Sequence, residues 1–123
     1  MAKWANDLVM DAALDYIAAA DRLFVCSNQP ATYAEASATY DLATHILTGG
    51  DFAKANGDTN GRKVTVAAQA GITIDHNGNG QHIALGKSGT TELTYVTTCT
   101  LQALVAGGTV DVPAFDIEIA DPT

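Results

Sequence analysis

The sequence predicts a mainly β protein: an antiparallel β-sandwich with an N-terminal amphipathic α-helix, in one domain spanning residues 1–123. Three observations carry this. From Arg62 onward apolar residues recur at every second position: Val64 and Val66, Ile72 and Ile74, Ile83 and Leu85, Leu93 and Tyr95, Val110 and Val112, then Phe115, Ile117 and Ile119. Gly, Asn and Ser turn signals interrupt these runs at roughly ten-residue intervals, the spacing of an antiparallel sandwich or barrel. Ahead of them, one segment follows the helical period instead.

That segment is "WANDLVMDAALDYIAAADR". Leu8, Val9, Ala12, Ala13, Tyr16, Ile17 and Ala20 follow the i, i+3, i+4 rule and predict a broad apolar stripe facing the core. Asn6 or Asp7 can cap the start, and an acid in the first turn suits the helix dipole. The helical region is placed at 1–22 and the sandwich at 23–123. Asp7, Asp11 and Asp15 fall at i, i+4 and i+8, three carboxylates on one ridge, whose mutual repulsion costs a few tenths of a kcal/mol per pair. The plain reading of this ridge is a solvated acidic face; the functional one is a surface that meets a basic patch on a partner.

"RLFVCS" reads as a short apolar strand, and Pro30 sets the turn after it. "TYAEASA" predicts one or two helical turns, with Thr32 and Glu35 spaced as a capping box. "TYDLATHILT" is strand-like and ends at Gly49-Gly50, and "KANGDTNG" is a polar loop with two Asn-Gly turn signals. Thr is abundant, as strand surfaces favour.

With 123 residues, the chain can bury roughly two thirds of the surface its unfolded form exposes. A hydrophobic content of 47% against 16% charged residues excludes a disordered chain. A net charge of −8, with six scattered basic residues, excludes phosphate-backbone binding, so no nucleic-acid partner is expected. No apolar run approaches the roughly 20 residues of a membrane span. Lys3 and Trp4 run into Asn6, Asp7 and Asp11 without an apolar h-region, so no signal peptide is expected and the chain should be made in the cytoplasm. Cys26 and Cys99 lack metal-ligand spacing and sit in strand-like sequence, where buried free thiols are common. In an oxidising environment they can pair, closing a loop of roughly 70 residues worth about 4 kcal/mol in the chain-entropy model.

The chemistry-bearing motifs are few. Asp75-His76-Asn77-Gly78-Asn79-Gly80 spells the first half of an EF-hand loop, but the twelfth position is Gly86, which has no carboxylate, and the flanks alternate like strands. The stretch reads as a β-hairpin tip. His45, His76 and His82 are dispersed; His76 and His82 can face each other across that hairpin, but the sequence supplies no third zinc ligand. Ser27, Ser37 and Ser88 lack a nucleophile elbow. "GKSGT" at Gly86–Thr90 resembles the tail of a phosphate loop, but Gln81 stands where the first glycine is required and a strand follows, so it reads as a turn. Nothing places two of Asp51, Asp58 and Asp75 together as a glycosidase pair. No catalytic site, cofactor or metal is expected, and the chain reads as a non-enzyme.

The runs "DLVMDAALDYIAAADRLFVCSNQPATYAEA", "GDFAKANGDTNGRKVTVAAQ" and "LVAGGTVDVPAFDIEIADPT" together resemble a group of small virion structural proteins of tailed bacteriophages. In these a "DAALDYI"-like helix leads into a "CS..P.TY.EA"-like segment and a Gly- and Thr-rich β domain. The resemblance spans nearly the whole chain and implies a particle component located in the virion, with no catalytic residues to carry over. A capsid decoration (cement) protein, homo-oligomeric and bound to the major capsid protein or other virion proteins, is the leading expectation. A tail or neck adaptor, collar or fibre-associated protein is the second. A carbohydrate-binding module for host attachment is the third, and would favour clustered exposed aromatics. The docking candidates are Trp4, Leu8 and Val9 at the start of the helix, with Asp7, Asp11 and Asp15 as its acidic ridge.

Overall fold

A computed structural model describes residues 5–120. Helix α1 (Asp7–Ala18) is followed by β1 (Arg22–Cys26), a π-helical turn (Glu35–Thr39), β2 (Asp41–Ile46), a 3-10 turn (Gly49–Asp51), β3 (Phe52–Asn56), β4 (Arg62–Val66), β5 (Gln69–Thr73), β6 (Gly78–Lys87), β7 (Glu92–Leu104), β8 (Thr109–Val112) and β9 (Phe115–Ile119). All strand pairs are antiparallel. The mainly β, antiparallel fold with one N-terminal helix is therefore the one the alternating pattern predicts. The helix is shorter than the 1–22 expected, because Arg22 already pairs with Ile46 and Gly86 in the sheet.

One layer has the strand order β2-β1-β6-β7, and the other consists of β3-β4-β9 and β5-β8. The second layer is in effect one bent ribbon. Val66 pairs with Phe115 and Gln69 with Val112, so the interruption falls where Ala67–Ala68 face Pro113–Ala114. Proline offers no N–H to the ladder, which accounts for the break on that strand. Along one side the layers are tied together by the Ala43–Ile74 bridge and by the Asp75 amide donating to the Leu42 carbonyl at 2.7 Å. On the other side they stand apart between β7 and β8–β9, where cavities of about 170 and 270 Å³ are lined by Ile83, Cys99, Thr100, Val112 and Pro113.

The main core lies between the layers. Leu23, Val25, Ile83 and Leu85 point inward from the first, Val64, Val66, Ile72 and Ile117 from the second, and Leu14 enters from α1. Val64, Val66, Ile72, Ile83, Leu85 and Ile117 are the inward residues that period two predicted. A second cluster, Phe24, Cys26 and Ala84, fills the outer face of the first layer under Ala36 of the π-helical turn. There Phe24 meets Tyr33 edge-on, with ring centroids 5.6 Å apart. The capping pair predicted before this turn is present in altered form: Thr32 Oγ1 accepts from the Glu35 amide at 3.1 Å, and the Glu35 carboxylate reaches the Ala31 amide at 2.8 Å.

One motif is corrected. β5 and β6 lie in different layers, so Asp75–Asn77 belong to a crossover and Gly78–Gly80 open β6; the stretch is not a hairpin tip. Its glycines serve packing: a Cβ on Gly78 would sit 2.8 Å from Leu42 Cδ2, and one on Gly80 3.0 Å from Val25 Cγ1. The true hairpin joins β6 to β7 through the "GKSGT" turn.

The outer strands carry features that discourage pairing with another sheet. β7 is interrupted by register shifts near both ends, β2 is bridged to Ile74, β3 presents Lys54, and Pro113 breaks the run of β8 into β9. Association by strand addition is thus disfavoured.

Candidate docking surface

Helix α1 starts where Asn6 Oδ1 accepts the Leu8 amide at 2.8 Å. It lies across β3, β4 and β7 and has three faces. Met10 and Leu14 are buried at 4% and 0% exposure, with Ile17 and Ala18 packed beside them. Asp7, Asp11 and Asp15 form a ridge next to that face. The third face holds Leu8, Val9, Ala12, Ala13 and Tyr16, all exposed, with Leu8 at 75% and Val9 at 65%.

The predicted stripe is therefore mostly turned outward; only Ile17 and Ala20 of it are covered. The sequence holds a second stripe, Met10, Leu14 and Ile17 at i, i+4 and i+7, and this is the one turned to the core, with ion pairs beside it. The Arg62 guanidinium in β4 donates to both Asp11 oxygens at 2.8 and 3.4 Å, and the Lys54 ammonium in β3 lies 2.7 Å from Asp15 Oδ1. These cations hold the ridge against the second layer. The ridge expected to be a solvated face or a partner surface is thus largely satisfied within the chain. Asp11 is only 16% exposed, while Asp15 keeps 57% and Asp7 is exposed. Leu8 and Val9 are exposed. Trp4 lies outside the described residues.

Tyr16 completes the outer face and is held in place. Its hydroxyl donates to the Glu92 carboxylate at the start of β7, and the Lys87 ammonium sits 4.4 Å from its ring centroid. The hydrogen bond pushes the Tyr16 hydroxyl above its ordinary value and the Glu92 carboxyl below its own. Just beyond the helix, the Asp21 carboxylate accepts from the Ser88 amide at 2.8 Å and hydroxyl at 2.6 Å, which keeps its carboxyl low and ties the helix exit to the β6–β7 turn. The two contacts restrain the exposed aromatic ring. Sequence reading missed this, because Glu92 and Lys87 are remote in the chain and only the sheet brings them to Tyr16.

The remaining candidates do not come together. Cys26 and Cys99 are free thiols: Cys26 is buried with its Sγ donating to the Ala36 carbonyl at 3.6 Å, and Cys99 is exposed on β7. The disulfide considered from sequence is thus not formed, Cys26 being on β1 with β6 between it and β7. His76 Nδ1 lies 3.0 Å from the Asp41 carbonyl, while His82 Nδ1 is buried without a hydrogen-bond partner. Among the described residues no group of three His, Cys, Asp or Glu side chains is placed to hold a metal ion. The other described aromatic rings are buried or half-buried, so among the described residues no cluster of exposed rings offers a sugar-stacking platform.

No family model, curated protein or solved structure matches the chain.

Proposed function

We propose that this chain is a non-enzymatic virion structural protein of a tailed bacteriophage, a capsid decoration protein that docks through the outer face of α1. The observation that carries the docking part is the exposed apolar face Leu8, Val9, Ala12, Ala13 and Tyr16, with its aromatic already immobilised. A monomeric surface normally scatters its exposed apolar residues; a contiguous patch that includes a fixed Tyr is what interface cores are made of. The virion context rests on the sequence resemblance described above. In that context the partner is the major capsid protein, and the action is linkage: a protein that binds only the mature lattice stabilises it by mass action.

The test is copy number in purified particles, measured by quantitative mass spectrometry against the major coat protein. Hundreds of copies support decoration, and a dozen or fewer support the neck or tail alternative. Within particles, Val9→Glu should lower occupancy while leaving the melting temperature of the isolated protein nearly unchanged, since Val9 touches no core.

A further inference from the structure

We infer that Asn60-Gly61, in the loop between β3 and β4, is a self-modification site at which the asparagine side chain closes on the next amide, releases ammonia and is opened by water to aspartate or isoaspartate. This goes beyond the docking reading and does not depend on it.

The sequence holds four Asn-Gly pairs, at 56–57, 60–61, 77–78 and 79–80. In each the glycine has no Cβ to shield its amide nitrogen, the nucleophile of the reaction. That nitrogen gives up its proton to solvent and attacks the side-chain carbonyl carbon. A new N–C bond forms, and the side-chain nitrogen leaves as ammonia. Water then adds to either carbonyl of the five-membered imide and cleaves its bond to nitrogen. The sum is one water consumed and one ammonia released, with no redox change.

The fold separates the four pairs. Asn79 lies in β6 opposite Ala103, and Gly80 packs against Val25 and Leu104. Asn77 Oδ1 accepts the Ala106 amide at 2.7 Å, and Gly78 is paired with Leu104. Asn56 ends β3; its Oδ1 accepts from Arg62 Nη1 at 2.7 Å, and the Gly57 amide donates to the Gly61 carbonyl at 2.9 Å. A paired strand holds ψ at about +135°, which swings the following amide away from the side chain, so pairs held in the ladder react only after it opens locally. Asn60 instead stands exposed in the bend between β3 and β4, outside both strands.

The fold also keeps the labile pair in place. Gly61 has φ +73°, a left-handed conformation that glycine adopts without steric cost, and a Cβ there would sit 2.0 Å from the Ile119 carbonyl oxygen. A bulkier neighbour that would slow the attack is therefore barred. The product carries one more negative charge than the −8 of the sequence, in a loop that already holds Asp58 and packs on Glu118. A Cβ on Gly57 would meet both the Asn60 carbonyl oxygen, at 1.9 Å, and Glu118 Oε1, at 2.4 Å, which places the new carboxylate's residue beside that acid.

The experiment incubates the purified full-length protein in mildly alkaline buffer, folded and in denaturing urea. Peptide mass spectrometry, with fragmentation that tells isoaspartate from aspartate, follows all four asparagines over time. In the folded protein Asn60 should convert at least about tenfold faster than Asn56, Asn77 and Asn79, because those three wait for local opening. In urea the four rates should converge, which shows that the fold and not the dipeptide makes the selection. Anion exchange of the folded sample should resolve a later-eluting form that grows with time, and Asn60→Gln should suppress it. Circular dichroism confirms that this variant, changed at an exposed loop position, is folded. If Asn60 stays intact in the folded protein while the urea-unfolded chain reacts, the inference is overturned. Conversion of Asn56, Asn77 or Asn79 as fast as Asn60 in the folded protein overturns it equally.

Discussion

The Asp11 carboxylate on α1 is held by the Arg62 guanidinium of β4, Nε to Oδ1 at 2.8 Å and Nη2 to Oδ2 at 3.4 Å, with the two side chains only 16% and 18% exposed. The pair lies beside the stripe of α1 that is core, Met10 and Leu14, while Leu8, Val9 and Tyr16 are left exposed.

The Arg62 hydrogen bond holds the Asp11 carboxyl below its ordinary value and raises Arg62 correspondingly. A depressed carboxylate contributes stability that is complete above the unfolded value and is lost as pH falls through the folded one. Arg62→Leu should therefore lower the urea midpoint at pH 7, and its stability should fall less steeply than wild type between pH 5 and pH 2. Asp11→Asn with Arg62→Leu should show strong coupling in a double-mutant cycle. Equal pH slopes for wild type and Arg62→Leu would remove the pair from any role in setting the helix rotation.

Leu14 is fully buried in the main core, and Leu8 is 75% exposed on the same helix. Leu14→Ala should cost about 2–5 kcal/mol, as large-to-small core changes do, whereas Leu8→Ala should stay within about 0.5 kcal/mol. Urea melts of the two variants read this directly. The opposite ranking would mean that the helix is seated on its other stripe.

Asp41 begins β2 at 8% exposure, and burial pushes its carboxyl up, opposed by the hydrogen bond from Thr44 Oγ1 at 3.0 Å. A raised carboxyl means that the folded state keeps a proton where the unfolded chain has lost it, so stability from this group declines as pH rises through that window. Asp41→Asn keeps an acceptor for Thr44 and removes the buried charge. It should raise the melting temperature at pH 7, with the gain shrinking as pH falls below the raised value. A loss of stability at pH 7 would mean that the charge is stabilised by groups other than Thr44.

The two thiols should differ sharply in reactivity. Burial pushes Cys26 up to about 12, while Cys99 stands exposed on β7 with a value raised more modestly, also by burial. The thiolate is the reactive form, so both burial and pKa protect Cys26. A chromogenic disulfide reagent should titrate Cys99 alone in the native protein and both cysteines in denaturant, and Cys99→Ser should abolish the native reaction. Fast reaction of both thiols under native conditions would show that the layer over Cys26 opens readily.

The β architecture was legible in the sequence because side chains on a strand alternate at a fixed period, so Val64, Val66, Ile72, Ile83, Leu85 and Ile117 declare their face without reference to anything distant. The existence of α1 was legible for the same reason, through its 3.6-residue period. The orientation of that helix was not. It carries two apolar stripes, and the one that is buried has its acidic neighbours Asp11 and Asp15 paired with Arg62 and Lys54, which β4 and β3 bring across from the middle of the chain. The Asp75–Gly80 stretch followed the same rule: its residues signal a turn locally, but the pairing of β5 with β8 and of β6 with β1 and β7 makes it a crossover running into the start of β6, where Gly78 and Gly80 make room for Leu42 and Val25. Local periodicity determined which segments are strands and which is a helix; only the tertiary structure, by packing the helix on β3, β4 and β7 and bringing remote charges to it, decided which face of the helix is left exposed.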